Sequence, residues 1–217
     1  MAETRFVAED LPLRLRKLPL DPRGYPVPWF VAWVNGEPEF RAADGRKFAQ
    51  AVQHKLCWVC GEPLGKWLAF PIGPMCAITR TTAEPPCHTD CAEWSIRNCP
   101  FLSQPRQVRR DDHLPDGIRE PAGNAIKRNP GVICLWITRE YELSDDGKGR
   151  PLITVGRPER VSWWCEGRAA TRAEVDASVE SGLPILLNEA KRDGPFAIEA
   201  LGKQVNATAA LFPVSTA

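Results

Sequence analysis

The sequence predicts an α+β protein in which small antiparallel sheets and short helices surround a central treble-clef-like zinc module. Three observations support this fold class. A CxxC motif followed by glycine, Cys57 to Gly61, precedes a second cysteine and histidine cluster, Cys87 to Cys91. Short β-rich runs alternate with short helical patterns along the chain. The 21 prolines fall mostly in connecting stretches, which limits the number of long helices.

The N-terminal segment, residues 1–55, is predicted to contain an arm, a β-hairpin and a helix. Five prolines before Trp29 indicate an irregular, solvated arm. Trp29 to Val34 is β-rich, and the Asn-Gly pair that follows is a strong signal for a two-residue hairpin turn. The returning strand should cover Glu37 to Arg41. Asp44 is then placed to cap a helix that ends near residue 55.

The second segment, residues 56–102, is the predicted zinc module. After the CxxC motif, residues 66–72 and 75–80 are expected to form a hairpin with a Gly-Pro turn between them. A helix is predicted from about Thr89 to Asn98, because Cys99 precedes a proline and that position disfavours helical backbone. We call the CxxC turn, Cys57 to Gly61, the knuckle. The order of elements is therefore knuckle, hairpin and helix, which is the treble-clef arrangement.

The third segment, residues 103–130, is predicted to be a long connection rich in proline and arginine. A loop of this length within a domain is usually functional or a linker.

The fourth segment, residues 131–217, is predicted to be a β-meander followed by C-terminal helices. The expected strands are residues 132–142, 152–155 and 161–165. Thr171 and Glu174 form a capping-box pattern that should begin a helix. Glycine at position 182 and a proline shortly after predict its end, and a last helix should run from about residue 195 to residue 210.

The metal ligands are predicted to be Cys57, Cys60, His88 and Cys91. Two come from the knuckle, and the other two lie at i and i+3 in the first turn of a helix, where both side chains reach one ion. Three thiolates and one imidazole in tetrahedral geometry form a closed structural zinc site, so one structural Zn²⁺ is expected.

Three further cysteines are alternative ligands. Cys76, Cys87 and Cys99 lie near the preferred set in sequence, and any of them can replace a preferred ligand or contribute to a partial second site. With no clear fourth ligand among them, a second zinc ion is not the leading prediction.

The charge, hydropathy and cysteine content of the chain indicate which partners and which cellular compartment to expect. The formal net charge is +1, so the chain as a whole has no strong attraction for nucleic acid or anionic membranes. No apolar run approaches the roughly 20 residues of a membrane helix, and the N-terminus lacks a signal-peptide pattern. We therefore expect a cytoplasmic protein, in which eight cysteines favour metal over disulfides.

Local basic and aromatic residues predict a binding surface for DNA, RNA or a host protein. Trp58, Trp67 and Trp94 are candidate stacking surfaces for bases, and cationic side chains would contact phosphates. The candidate binding residues are Lys66, Arg80, Arg97, Arg106, Arg109 and Arg110.

Two alternative functions remain open. One is a metal-dependent, HNH-like nuclease or other DNA-modifying enzyme. The nuclease would need a catalytic histidine on the predicted hairpin, which has none, although Asp111, Asp112 and His113 are candidates for binding a divalent ion. A protein-only inhibitor or adaptor is the other alternative. The oligomeric state is left open.

A resemblance supports the metal prediction. The segment from Leu56 to Leu102, with CWVCG, GPMCA, AEPPCHTDCAEWS and NCPFL, resembles a group of uncharacterised proteins of bacterial and phage genomes. The stretch from Glu166 to Val175 is similar to the C-terminal part of the same group. The resemblance implies a bacterial or phage origin and a zinc site, and it brings no known activity.

Overall fold

The structure, a computed structural model, describes residues 6, 10–104, 122 and 129–214. Its elements are small antiparallel sheets and mostly short helices, which confirms the predicted α+β class. The arginine-bearing connection predicted for residues 103–130 lies largely outside the described residues.

The N-terminal hairpin and helix form as predicted. Strand β1, Val31–Val34, pairs with β2, Glu37–Ala43, through a tight turn whose two residues both have positive φ. Helix α1, Gly45–His54, begins where the Asp44 side chain accepts a hydrogen bond from the Arg46 amide.

The prediction of a solvated N-terminal arm is wrong for its described part. Leu15 at 0% and Val27 at 1% exposure are fully buried, and Leu15 lies in the same hydrophobic cluster as the cysteines of the CxxC motif. A 3-10 turn, Leu15–Lys17, places this leucine in the core. Apolar residues of this segment, such as Leu15, therefore pack in the core that contains the CxxC cysteines.

The middle segment differs from the predicted hairpin. Strand β3, Leu68–Ile72, is present, but the expected return strand over residues 75–80 is instead helix α2, Pro74–Thr79. Proline occupies the first helical turn, where its missing N–H costs nothing, and the Ala77 amide bonds the Gly73 carbonyl. The hairpin required by a treble clef is therefore replaced by a strand and a helix.

The remaining elements of the middle segment are short. Strand β4, Thr81–Thr82, follows α2 directly. Helix α3, Thr89–Asn98, has the predicted bounds, and α4, Pro100–Ser103, continues after a break at Cys99.

The described part of the C-terminal segment, residues 131–214, contains five strands and two helices: β5, Ile133–Thr138; β6, Tyr141–Asp145; β7, Pro151–Val155; β8, Arg160–Cys165; β9, Arg168–Ala169; α5, Arg172–Asp193; and α6, Pro195–Ala209. The single strand predicted over residues 132–142 is two strands in different sheets. The capping box that begins α5 is confirmed, with Thr171 and Glu174 bonded reciprocally.

The predicted end of α5 at Gly182 is wrong, because the helix continues through Pro184 to Asp193. A Cβ atom on Gly182 would lie 2.8 Å from Met75 Sδ. The glycine therefore allows α5 to approach α2 closely and does not terminate the helix.

Two of the sheets join distant parts of the chain. One has the strand order β3-β5-β8-β9, and another has the order β4-β7-β6. Strands of the predicted zinc module thus pair with strands of the C-terminal segment. The four-segment division stays a prediction, but segments two and four share these two sheets.

Strand β5 separates two hydrophobic cores. Its six residues are all buried. Ile133, Leu135 and Ile137 belong to the cluster that contains the CxxC motif, whereas Cys134 and Trp136 belong to the cluster with α2, α5 and α6. This alternation follows from the two-residue period of a strand. The metal cluster therefore lies against one face of a sheet whose other face is covered by helices.

Candidate metal centre

The four predicted ligands come together in the structure. The ligand atoms of Cys57, Cys60, His88 and Cys91 all lie within 4.8 Å of one another. All four residues are buried, and two of them have no exposed surface. Of the residues that the structure describes, this is the one group of three or more such side chains with metal-binding geometry.

The knuckle places two thiols on one side of the backbone. The Gly61 amide donates to the Cys57 carbonyl at 2.8 Å, which closes the turn, and Gly61 has φ +75°. The amides of Cys60 and His88 point toward Cys57 Sγ at 3.5 and 3.4 Å. Backbone N–H groups aimed at one sulfur stabilise it as a thiolate, which is the form that binds metal.

Helix α3 supplies the other two ligands. His88 is its N-cap residue, and Cys91 lies in its first turn. Both positions face the positive end of the helix dipole, which also favours thiolate. One turn of helix separates the two side chains, as the i, i+3 spacing predicted.

Hydrogen bonding determines which imidazole nitrogen faces the sulfurs. His88 Nε2 lies 3.0 Å from the Pro63 carbonyl oxygen, so this nitrogen carries the proton and donates it. Nδ1 lies 3.4 Å from Cys60 Sγ and 4.0 Å from Cys91 Sγ. A backbone carbonyl on the outer nitrogen is the usual support for a metal-bound histidine.

Hydrogen bonds within the cluster shift the pKa values of its members in opposite directions. Hydrogen bonds from Cys60 and then from Cys87 and Cys91 lower the pKa of Cys57 well below its usual range. The pKa of His88 is raised to about 10 by its contacts with Cys57 and Cys60. The pKa of Cys91 is raised because it serves as a donor to those sulfurs. Metal binding at this cluster would require deprotonated thiols, because the thiolate is the form that coordinates a metal ion.

The donor set and its spacing are suited to a tetrahedral metal ion. In a tetrahedral site with, for example, the Zn–S distance of about 2.3 Å and the Zn–N distance of about 2.0 Å found in zinc proteins, neighbouring nitrogen and sulfur ligands are roughly 3.5 Å apart. The two nitrogen–sulfur distances bracket this value. The cluster can therefore hold a metal ion through three sulfurs and one nitrogen, with no further side chain required.

The alternative ligands have other surroundings. Cys87 is buried beside the cluster, where its thiol donates to Cys57, and its amide and carbonyl pair with Ala69. Cys76 lies on α2 and packs against the helical core on the other side of the sheet, where burial raises its pKa to about 11. Cys99 caps α3, and burial also raises its pKa.

A shell of residues that the sequence did not reveal surrounds the centre. Arg14 bonds Asp90 at 3.1 Å and lies 3.4 Å from Glu62, so the N-terminal segment is tied to both the knuckle and α3. Trp58, inside the CxxC motif, stacks on Phe30 with ring centroids 4.9 Å apart. These contacts join residues distant in sequence, and no local pattern predicts them.

The predicted binding residues are in different environments. Lys66 is exposed beside Trp67, and Arg97 is exposed with its guanidinium over the Trp164 ring. Arg80 donates through Nε and a terminal nitrogen to the Val155 carbonyl, so its side chain supports the junction between β4 and β7.

Six of the predicted site residues lie outside the part of the chain that the structure describes. They are the binding candidates Arg106, Arg109 and Arg110 and the candidate divalent-ion ligands Asp111, Asp112 and His113. Of the three tryptophans suggested for stacking, Trp58 is buried, Trp94 is partly buried and Trp67 is exposed.

Comparison with known proteins gives no assignment. No family model, curated protein or solved structure matches the chain. Within the described part, no helix combines the length and apolar character needed to cross a membrane.

Proposed function

We propose that the chain is a zinc-stabilised, non-enzymatic binding protein that acts on nucleic acid or on a nucleic-acid-processing partner. In this proposal Cys57, Cys60, His88 and Cys91 hold one structural Zn²⁺. The bacterial and phage resemblance favours an accessory protein of a phage or mobile element. All eight cysteines are free thiols, which suits the reducing cytoplasm.

The observation that carries the proposal is the closed, buried donor set. Four protein ligands complete a tetrahedral zinc ion and leave no position for water or substrate, which is typical of structural rather than catalytic sites. Zinc would supply folding free energy there, and the four side chains would fix the knuckle against α3.

Backbone hydrogen bonds join the metal site to the strand that follows the exposed residues Lys66 and Trp67. The amide and carbonyl of Cys87, the residue before His88, bond the carbonyl and amide of Ala69 at 2.8 and 2.9 Å. Strand β3 is thus attached to the metal centre, and exposed Lys66 and Trp67 precede this strand directly. Metal binding would therefore position a cationic and aromatic surface.

Binding of the purified full-length protein to fluorescent single-stranded DNA, duplex DNA and single-stranded RNA tests the proposal. We expect saturable binding to at least one of them, with affinity that falls steeply as salt rises. No binding to any of the three would overturn the nucleic-acid role and leave the protein-only inhibitor or adaptor. Cleavage that requires added Mg²⁺ or Mn²⁺ would instead establish the nuclease alternative.

A further inference from the structure

Trp67 presents an exposed aromatic ring that is in contact with two cationic side chains. The residue is 43% exposed immediately before β3. Lys66 Nζ and Arg139 Cζ lie over the ring, each 5.1 Å from its centre. Both side chains are long and exposed, so either can move aside for a stacking base and stay close enough to contact a phosphate. A large exposed aromatic side chain with adjacent cations can stack with a nucleobase while the cations contact phosphates.

The sheet topology concentrates further positive charge at this position. Antiparallel pairing of Leu68 with Thr138, and of Ile137 with Arg160, brings the start of β3, the end of β5 and the start of β8 to one end of the sheet. The cationic residues at this end are Lys66, Arg139, Arg157 and Arg160, all exposed. With Trp67 they define what we call the Trp67 surface.

Two carboxylates, Glu140 and Glu159, lie at the same end of the sheet, so the cations remain in excess. Glu159 pairs with Arg139 at 2.7 Å, and both side chains are about half exposed. Exposed ion pairs of this kind contribute little stability. Arg139 can therefore exchange the carboxylate for a phosphate at small cost.

The other described surface with an arginine and tryptophan pair is less suitable. Arg97 borders a cleft of about 640 Å³ that is also lined by Asp10, Asp90 and Glu93. Three carboxylates would repel a phosphate backbone. Charge complementarity thus selects the Trp67 surface.

We infer that the Trp67 surface binds single-stranded nucleic acid, with an unpaired base stacked on the Trp67 indole and the backbone phosphates on Lys66 and Arg139. This inference rests on the proposed nucleic-acid function and specifies its ligand. A single strand is required because the faces of bases inside a duplex are already stacked on their neighbours. Sequence preference should be weak, since every base offers a π face.

The test measures the affinity of the full-length, zinc-containing protein for a single-stranded oligonucleotide, using fluorescence anisotropy. Trp67→Ala should weaken binding roughly 5- to 150-fold, because stacking of one base is worth about 1–3 kcal/mol. Trp67→Phe should retain most of the affinity. Trp33→Ala is the matched control, since Trp33 is 46% exposed on β1 and should not affect binding.

Two further measurements separate stacking from charge. An oligonucleotide with abasic positions keeps its phosphates but lacks bases to stack. Wild type should bind it more weakly than it binds the intact strand, whereas Trp67→Ala should bind the two strands with equal affinity. Arg139→Gln should reduce the slope of log affinity against log salt by about 1, the change expected when one phosphate contact is lost.

The results that would overturn the inference alone differ from those that would also overturn the proposed function. If wild type binds single strands but Trp67→Ala behaves like Trp33→Ala, the inference is overturned and the proposed function stands. Equal affinity of wild type for intact and abasic strands, or tighter binding to duplex than to single strands, overturns it as well. If wild type binds no nucleic acid, both the inference and the nucleic-acid function are overturned.

Discussion

Gly61→Ala is the substitution that probes the packing around the knuckle most sharply. Gly61 has φ +75°, and a Cβ atom at this position would lie 2.7 Å from Cγ and 2.8 Å from Cδ1 of Trp29. Movement of the partly buried Trp29 ring is restricted on the side where it packs edge-on against Trp58. The Trp29 backbone is also held in place, because its amide donates to the Val59 carbonyl at 2.7 Å.

The expected cost has two parts. Left-handed backbone costs a non-glycine residue about 1–2 kcal/mol. Overpacking against a constrained side chain typically costs about 1–3 kcal/mol. The free energy of unfolding should therefore fall by about 2–5 kcal/mol, and zinc affinity should fall with it because Gly61 follows a predicted ligand.

Urea denaturation at a fixed free zinc concentration measures this change. Gly36→Ala is the matched control, since Gly36 has φ +83° with nothing within 4 Å of the added Cβ and should show the backbone cost alone. In a Trp29→Ala background, Gly61→Ala should lose its overpacking component. Equal costs at Gly61 and Gly36, or no coupling between Gly61 and Trp29, would refute the reasoning.

Three further predictions concern the ligands and the C-terminal helices. His88→Ala should lower zinc affinity strongly, whereas His88→Cys should keep a four-ligand site; equal retention of zinc by both variants, measured after dialysis, would contradict the assigned role. Glu174 has a pKa lowered to about 2 by its hydrogen bonds with Arg168 and the helix N-cap. Its carboxylate thus contributes stability above its unfolded pKa of about 4.3, and this contribution is lost as the pH falls toward 2. Glu174→Gln should cost up to about 1 kcal/mol in urea denaturation at pH 7, since the pair is partly exposed, with a gap that narrows below about pH 5; a gap that widens there would be inconsistent. Gly182→Val should destabilise by about 1–3 kcal/mol through overpacking against Met75, and a neutral result in thermal unfolding would argue against the close approach of α5 to α2.

The two halves of the metal cluster were predictable because the determinants of each half are local. A CxxC motif with a following glycine defines the knuckle, and the i, i+3 relation of His88 and Cys91 requires only that a helix begin between them. The positive-φ turn at Gly36 and the capping box of α5 are local signals too. Each depends on residues within one turn of the chain.

The wrong predictions arise where packing overrides local signals. Residues 75–80 contain Ile78 and Thr79, which favour strand, but as a helix this segment packs on α5 and α6. Gly182 resembles a helix stop in sequence, yet it is the contact point for Met75. The pairing of β3 with β5 spans the whole connection of residues 103–130, and no local pattern predicts it.

Metal content tests the central claim most directly. Mass-spectrometric elemental analysis of the full-length protein, purified without chelators, should find about one zinc ion per chain. In a Cys60→Ser variant zinc should be lost and the free energy of unfolding should fall. A wild-type protein that contains no zinc and unfolds at the same urea concentration with and without added zinc would contradict the account.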